Sequence, residues 1–229
     1  MQWLEQALQG QSIAALWHGA PALVAPLSYR RYANLDEVSA ASLRKGWPIR
    51  LRRSGGGVVP QGPGILNLSL AYPCEGAPGA LAEPVYAHLC GLLGSALARL
   101  SIACQPTAVA GSFCDGRFNL AVRAQGTLRK IAGTAQYWRR ADGRQAVLAH
   151  ALLLIDADPA LLCAQANRFE TALGSPRQYD AHALTNVAQC WSTAHPGLLL
   201  PGDLSDVVTQ QIVAALRHST LTGEDHGTA

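Results

Sequence analysis

Apolar residues recur along this chain with two periods. The segment "ILNLSLAY" (65–72) alternates residue by residue, which predicts a strand. "EPVYAHLCGLLGSALARL" instead spaces Val85, Leu89, Leu92, Ala96 and Leu100 by three or four, with Pro84 near its first turn. That spacing predicts a core-facing helix. "QAVLAHALLLID" (145–156) reads as another buried strand, and "GDLSDVVTQQIVAALRHS" as a terminal helix, with Asp203 or Ser205 as its cap and Leu204, Val208, Ile212 and Leu216 on one face. Shorter signals fill the intervals. Residues 13–26 read as two strands about the turn at 19–21, 34–46 as a helix opened by Asn34 and closed by Gly46, "PIRLRR" as a strand, and "DPALLCAQANRF" as a short helix. The stretch 111–136 reads as a hairpin turning near Gln125 to Thr127. These elements intermix without a regular strand–helix–strand rhythm, so the predicted class is α+β.

Composition narrows the choice. With 229 residues, 49% hydrophobic and 14% charged, the chain can bury a core as one domain over 1–229, with 221–229 as a frayed tail. No apolar run comes near the ~18 residues of a membrane span, and the N-terminus lacks a basic segment followed by a hydrophobic block. A soluble, cytoplasmic protein is expected. The six cysteines form no C-x-x-C pair, which points to free thiols in a reducing compartment and to no metal site. A formal charge of +3, without a basic run, argues against nucleic acid and suits a mildly acidic protein partner.

Candidate chemistry lies in two places. In "RRSGGGVVPQGPG" (52–64), three successive glycines leave no β-carbon to obstruct a neighbour. The loop lacks both the Gly-Lys-Ser/Thr of a phosphate loop and the spacing of a dinucleotide fingerprint. It reads either as an ordinary hairpin loop or as a site where Arg52, Arg53 and the backbone N–H groups hold a carbonyl, carboxylate or phosphate. The second place is "GSFCDGRFNLAVRAQGTLRKIAGTAQ" (111–136), which carries Cys114 and Lys130.

Read in order, "RRSGGG", "GPG", "LNLSL", "GRFNLAV", "RKIAGTAQ", "LAHALLLID" and "ALTNVAQ" (183–189) resemble successive motifs of the biotin and lipoate protein ligase superfamily. The likeness is to its lipoate ligase and octanoyltransferase branch and covers roughly two thirds of the chain. It implies a mixed-sheet catalytic domain with flanking helices and a medium-chain acyl group in a tunnel beside the glycine loop. The lysine matched by Lys130 would hold the acyl carbonyl end. "GSFCDG" is similar to the cysteine loop of thioester-dependent octanoyltransferases, which makes Cys114 the candidate nucleophile. By resemblance, Ser54, Gly55, Gly56, Gly57, Asn67, Gly133, Thr134, Ala135 and His150 join Arg52 and Arg53 as substrate-binding candidates. Asn67 and Asn186 are expected to pin loops. Asp115 would orient either its loop or an incoming amine. Two departures weaken an assignment as ligase: Pro60 and Gln61 stand where a histidine often follows the glycine loop, and the chain is too short for the accessory C-terminal domain of many ATP-dependent ligases.

Geometry sets a condition on the cysteine. On a straight hairpin, Lys130 would pair near Val122, leaving Cys114 eight residues farther along, about 26 Å away. The thiol reaches the amine only if Asp115 and Gly116 turn its loop back over the sheet. There the ammonium would favour the thiolate and polarise a thioester carbonyl, and glycine-loop N–H groups would face the oxyanion. The predicted activity is an octanoyl or lipoyl transferase needing no cofactor. Its donor would be an acyl carrier protein or an octanoylated lipoyl-domain protein, and its acceptor a lipoyl domain such as the glycine cleavage H protein or an E2 subunit. The alternatives are a lipoate ligase using ATP and Mg, and a non-catalytic relative that binds acyl groups or lipoyl domains. A closed pocket between 52–70 and 118–136 is expected.

Overall fold

A computed structural model describes residues 2–219. Helix α1 (Gln2–Leu8) precedes β1 (Ile13–Trp17) and β2 (Ala22–Pro26); a 3-10 turn (Leu27–Arg31) leads to α2 (Leu35–Arg44). There follow β3 (Ile49–Arg52), β4 (Val59–Gln61), β5 (Ile65–Pro73), α3 (Pro78–Ala98), β6 (Gln105–Pro106), β7 (Leu120–Ala124), β8 (Thr127–Ala141) and β9 (Arg144–Leu154). Helices α4 (Pro159–Ala172), α5 (Val187–Ala194) and α6 (Leu204–Arg217) complete the described part. The expected tail at 221–229 lies outside the described residues.

Six strands form an antiparallel sheet in the order β1-β5-β9-β8-β7-β6, and β3-β2-β4 make a small second sheet. The two strands expected in 13–26 are present but belong to different sheets, since β1 pairs with β5 while β2 pairs with β3 and β4. On β5 the alternation is functional. Leu66, Leu68, Leu70 and Tyr72 face α3, α6 and the larger core, while Ile65 joins the second core on the opposite face. The same alternation turns Asn67 and Ser69 away from α3 and α6.

Helix α3 starts at Pro78, not near Pro84 as the apolar spacing suggested, and Pro84 lies inside it. The added residues, Pro78 to Glu83, include one large apolar side chain, the half-buried Leu81, too little to leave a hydrophobic period. Pro78 at the start has its φ pre-set for the helix. By length and apolarity α3 is also a candidate membrane span, contrary to the reading of the sequence; yet Val85, Leu89, Cys90, Leu92, Leu93, Ala96 and Leu97 are buried, in the larger core where these residues meet the sheet.

Both β7–β8 and β8–β9 are tight hairpins. Gln125 and Gly126 have φ of 50° and 81°, and Asp142 and Gly143 have 50° and 74°, the paired positive values that type I′ turns require. The first turn lies where the sequence placed it. Within β8, Lys130 pairs with Ala121 and Ala132 with Leu120, so Ile131 is an extra residue. Such a bulge re-aims the side chains beside it.

Candidate active site

A cavity of about 430 Å³ lies on the sheet face opposite α3, between β8–β9 and the strand–loop segment from Leu51 to Gln61. Its floor follows from the strand register. Trp17, Asn67, Leu152 and Gly133 form one cross-strand row; Ala15, Ser69, His150 and Ala135 the next; Ile13, Ala71, Leu148 and Tyr137 a third. Successive rows are about 7 Å apart, two residues along an antiparallel strand. Leucines at 148, 152, 154 and 184 and Val59 make the lining largely apolar. The rim is open, because Trp17 and Leu51 are exposed, so the expected closed pocket is a groove.

The reactive groups gather at the Gly133 end. Lys130 is buried, and its ammonium donates to the Phe113 carbonyl and, at 3.4 Å, to the Cys114 carbonyl. The cysteine loop therefore folds back over the sheet, as the chemistry required. Cys114 itself has φ of 51°, a strained value for a non-glycine residue, and its carbonyl is held by Asn119 Nδ2 at 2.8 Å and Gly116 N at 2.8 Å. A Cβ on Gly133 would stand 3.0 Å from Lys130 Nζ, so this glycine makes room for the ammonium. Burial draws the Lys130 pKa down to about 8; the nearby Cys114 and Asp115 oppose the shift and Arg52 adds to it.

The glycine loop closes over the thiol. A Cβ on Gly56 would lie 2.1 Å from Cys114 Sγ and 3.2 Å from Arg52 Nη2, which places the thiol directly against the loop. Gly56 has φ of 105°, available to glycine at little cost. Arg52 organises the loop: its guanidinium donates to the carbonyls of Val24, Gly55 (2.9 Å) and Gly57 (2.7 Å) and to Ser54 Oγ (3.1 Å). Its pKa is lowered by burial, with Cys114 opposing.

Arg52, Arg53, Ser54, Cys114, Lys130, Gly133, Thr134, Ala135 and His150 all line the cavity. Arg53 sits at the rim, bonded to the Tyr137 hydroxyl at 2.9 Å. Gly55 presents its Cα to open space, Gly56 backs the thiol and Gly57 faces Arg177 and Tyr179, none of the three lining the cavity. Asn67 lies one layer away, fully buried and joined to Gln61 by reciprocal amide bonds of 2.8 and 3.0 Å; Gln61 is the member that reaches the cavity. Asn186 caps α5 by accepting from Gln189 N, a structural role as expected. Thr134 donates to Phe118 O at 2.6 Å, steadying the strand after the cysteine loop.

His150 lies one row from the reactive end. Burial, reinforced by Arg52, pushes its pKa down to about 4, so the imidazole is neutral at pH 7. Trp17 Nε1 donates to Ser69 Oγ at 3.1 Å, and that hydroxyl is 3.0 Å from His150 Nδ1. We assign the Ser69 proton to Nδ1, which leaves the Nε2–H as the imidazole's donor. Sequence reasoning missed Asn119, Ser69, Trp17, Gln61 and the whole of α1, whose Leu4 closes the far end of the floor. Ser69 had a signal, since it shares the strand face of Asn67.

Residues 2–190 match the family model described as "Lipoyl protein ligase A/B catalytic domain". An uncharacterized protein of Cupriavidus necator is 48% identical over 227 residues, covering 94% of this chain and 87% of that one. The Octanoyl-[GcvH]:protein N-octanoyltransferase of Kyrpidia tusciae is 36% identical over 175 residues, 74% of this chain and 55% of that protein. The enzyme of the same name from Geobacillus kaustophilus is 27% identical, with 47% of its length covered. The chain thus spans about half the length of these transferases. Among solved structures, a bi-partite lipoate protein ligase studied with its E2 lipoyl domain, from Thermoplasma acidophilum, superposes with a TM-score of 0.61 at 16% identity, over 94% of this chain and 77% of that one. A lipoate-protein ligase A bound with ATP gives 0.63 at 15%, with the same coverage. At these identities the likeness is one of fold.

Proposed function

The chain belongs to the lipoyl protein ligase A/B catalytic-domain family, and from that premise we propose that it is a cytoplasmic acyltransferase that carries a medium-chain acyl group, octanoyl or lipoyl, on Cys114 to a lipoyl-domain lysine. The observation that carries this reading is the convergence of thiol, buried amine and glycine loop: Cys114 Sγ lies against Gly56, and the Lys130 ammonium is held to the carbonyls of Phe113 and Cys114. The names of the Kyrpidia and Geobacillus relatives support the same reaction class.

In the proposed cycle the acyl chain lies along the apolar floor with its carbonyl at the Gly133 end. The neutral Lys130 amine, increasingly populated as pH rises toward about 8, takes the thiol proton of Cys114 and becomes the ammonium. The thiolate adds to the donor's thioester carbonyl. When the tetrahedral intermediate collapses, the donor sulfur leaves with the proton from Lys130, and the acyl group stays on Cys114. The amine of the acceptor lysine then attacks, forming an amide and returning the Cys114 thiol. Glycine-loop N–H groups would meet the oxyanion; among the described residues no backbone N–H from 54 to 58 donates to a backbone carbonyl outside the helices and strands, which supports this role. The donor would be an acyl carrier protein or an octanoylated lipoyl-domain protein, and the acceptor a glycine cleavage H protein or an E2 subunit.

Arg52 bears on whether ATP is used. In a ligase a free guanidinium beside the glycine loop would face the nucleotide phosphates, whereas Arg52 is committed to three carbonyls and Ser54. This favours the transferase. The test is octanoyl transfer to a purified lipoyl domain from an octanoyl thioester donor without nucleotide. Acceptor mass gain without ATP supports the proposal; transfer only from free octanoate, with ATP and Mg, replaces it with a ligase.

A further inference from the structure

Behind the glycine loop lies a cluster of buried polar side chains that the proposed chemistry does not use. Glu170 of α4 is fully buried, and its Oε1 accepts from the Tyr29 hydroxyl at 2.5 Å and the Tyr179 hydroxyl at 2.9 Å. The two tyrosines do the same for Glu170 but differ in what else they touch. Tyr179 stands between the two catalytic loops. A Cβ on Gly57 would lie 2.6 Å from its hydroxyl, and its ring packs at 4.9 Å against Phe113, the residue before Cys114. Its backbone is pinned on both sides by Asn167, which accepts from Tyr179 N at 2.7 Å and donates to Tyr179 O at 2.9 Å.

The segment that follows extends the brace. Asp180 N donates to Gly111 O at 2.8 Å, at the start of the cysteine loop. Leu184 bridges to Lys130, and Thr185 N donates to Lys130 O at 2.9 Å. One stretch, from Tyr179 to Thr185, thus touches the glycine loop, the cysteine loop and the lysine. The Tyr179 hydroxyl keeps its proton, because burial and the Glu170 carboxylate raise its pKa far above the usual range. It stays fixed as a donor to Glu170.

We propose that Tyr179 is a positioning residue that sets the gap between the glycine loop and the Cys114 thiol, with Glu170 as the anchor for its hydroxyl. The inference rests on the reading of Cys114 as nucleophile. Tyr29 offers a matched control, since its hydroxyl bonds to the same Glu170 oxygen but is not among the nearest atoms to Gly56 or Gly57.

The experiment compares Tyr179→Phe with Tyr29→Phe. Each removes one hydroxyl from Glu170, so both should lower the melting temperature to a similar degree. For octanoyl transfer, Tyr179→Phe should lower kcat about tenfold or more with KM within about twofold, because a displacement of a fraction of an ångström at a reacting atom is felt mainly in the transition state. Tyr29→Phe should keep both constants within about twofold. The rate of alkylation of Cys114 by iodoacetamide, mapped by peptide mass, should shift at least threefold or so in Tyr179→Phe only, on the same argument from misplacement. Equal effects in the two variants, or none in Tyr179→Phe, would overturn the proposal. The alkylation rate needs no acyl donor. If the wild type fails to take up octanoate while alkylation still separates the two variants, the functional reading has failed and the positioning role stands.

Discussion

Gly56 is the point at which backbone geometry and chemistry meet, and replacing it with alanine gives a sharp test. Its φ of 105° lies outside the basins of L-residues, which costs about 1–3 kcal/mol for any side chain. The new methyl would also lie 2.1 Å from Cys114 Sγ, where ordinary contact is about 3.5–4 Å. Thiol and loop must therefore separate by about 1.5 Å, and a misplacement of that order costs about a hundredfold in rate. Gly55→Ala is the control, because a Cβ there meets nothing within 4 Å. The assay is steady-state octanoyl transfer beside thermal melting. Gly56→Ala should lose about two orders of magnitude in kcat with a modest fall in stability, while Gly55→Ala stays near wild type on both counts. Full activity in Gly56→Ala would show that the thiol does not work against this loop.

Lys130→Met should lower transfer by about 3 kcal/mol of transition-state stabilisation while leaving a folded protein. Because the folded-state pKa of Lys130, about 8, lies below the ordinary lysine value, its charge destabilises the fold at neutral pH and the cost fades as pH rises. Denaturant titrations should find the wild type gaining about 2.5 kcal/mol relative to Lys130→Met between pH 7 and pH 10; a constant difference would refute the buried ammonium. His150, with a pKa near 4, resists protonation when folded, so the wild type should lose about 2 kcal/mol relative to His150→Gln as pH falls from 7 to 5. Equal acid sensitivity of the two proteins would place His150 in water. Asn119→Ala frees the Cys114 carbonyl from a 2.8 Å bond and should depress kcat more than thermal stability, as measured by parallel kinetics and calorimetry; a variant that melts early but turns over normally would make Asn119 structural alone.

Much of the site was legible because each motif carries its own local physics. Alternation in 65–72, the turn formers at Gln125 and Gly126, and the adjacent Asp115 and Gly116 were enough to expect a sheet, a hairpin and a folded-back cysteine loop. The bulge at Ile131 was not legible, since it depends on how β7 and β8 settle against each other. Nor was the role of Arg52. Two arginines before a glycine loop suggest an anion site, but the guanidinium of Arg52 turns inward to satisfy carbonyls that the tight loop leaves without strand partners. Helix α1 escaped notice because seven residues give too little periodicity to read, and its three buried side chains matter only once β5, β8 and β9 lie against them. Tyr179 belongs to a stretch without regular structure, and only tertiary packing gives it a partner.

The central claim is that the acyl group passes through Cys114, and the most direct measurement is the intact mass of the protein after incubation with an octanoyl thioester donor, with no acceptor and no ATP. The account predicts that the wild type gains one octanoyl group, that hydroxylamine removes it, and that Cys114→Ala gains none. A wild type that remains unmodified while acceptor lysines are acylated, or a Cys114→Ala protein that carries the adduct as well, would contradict it.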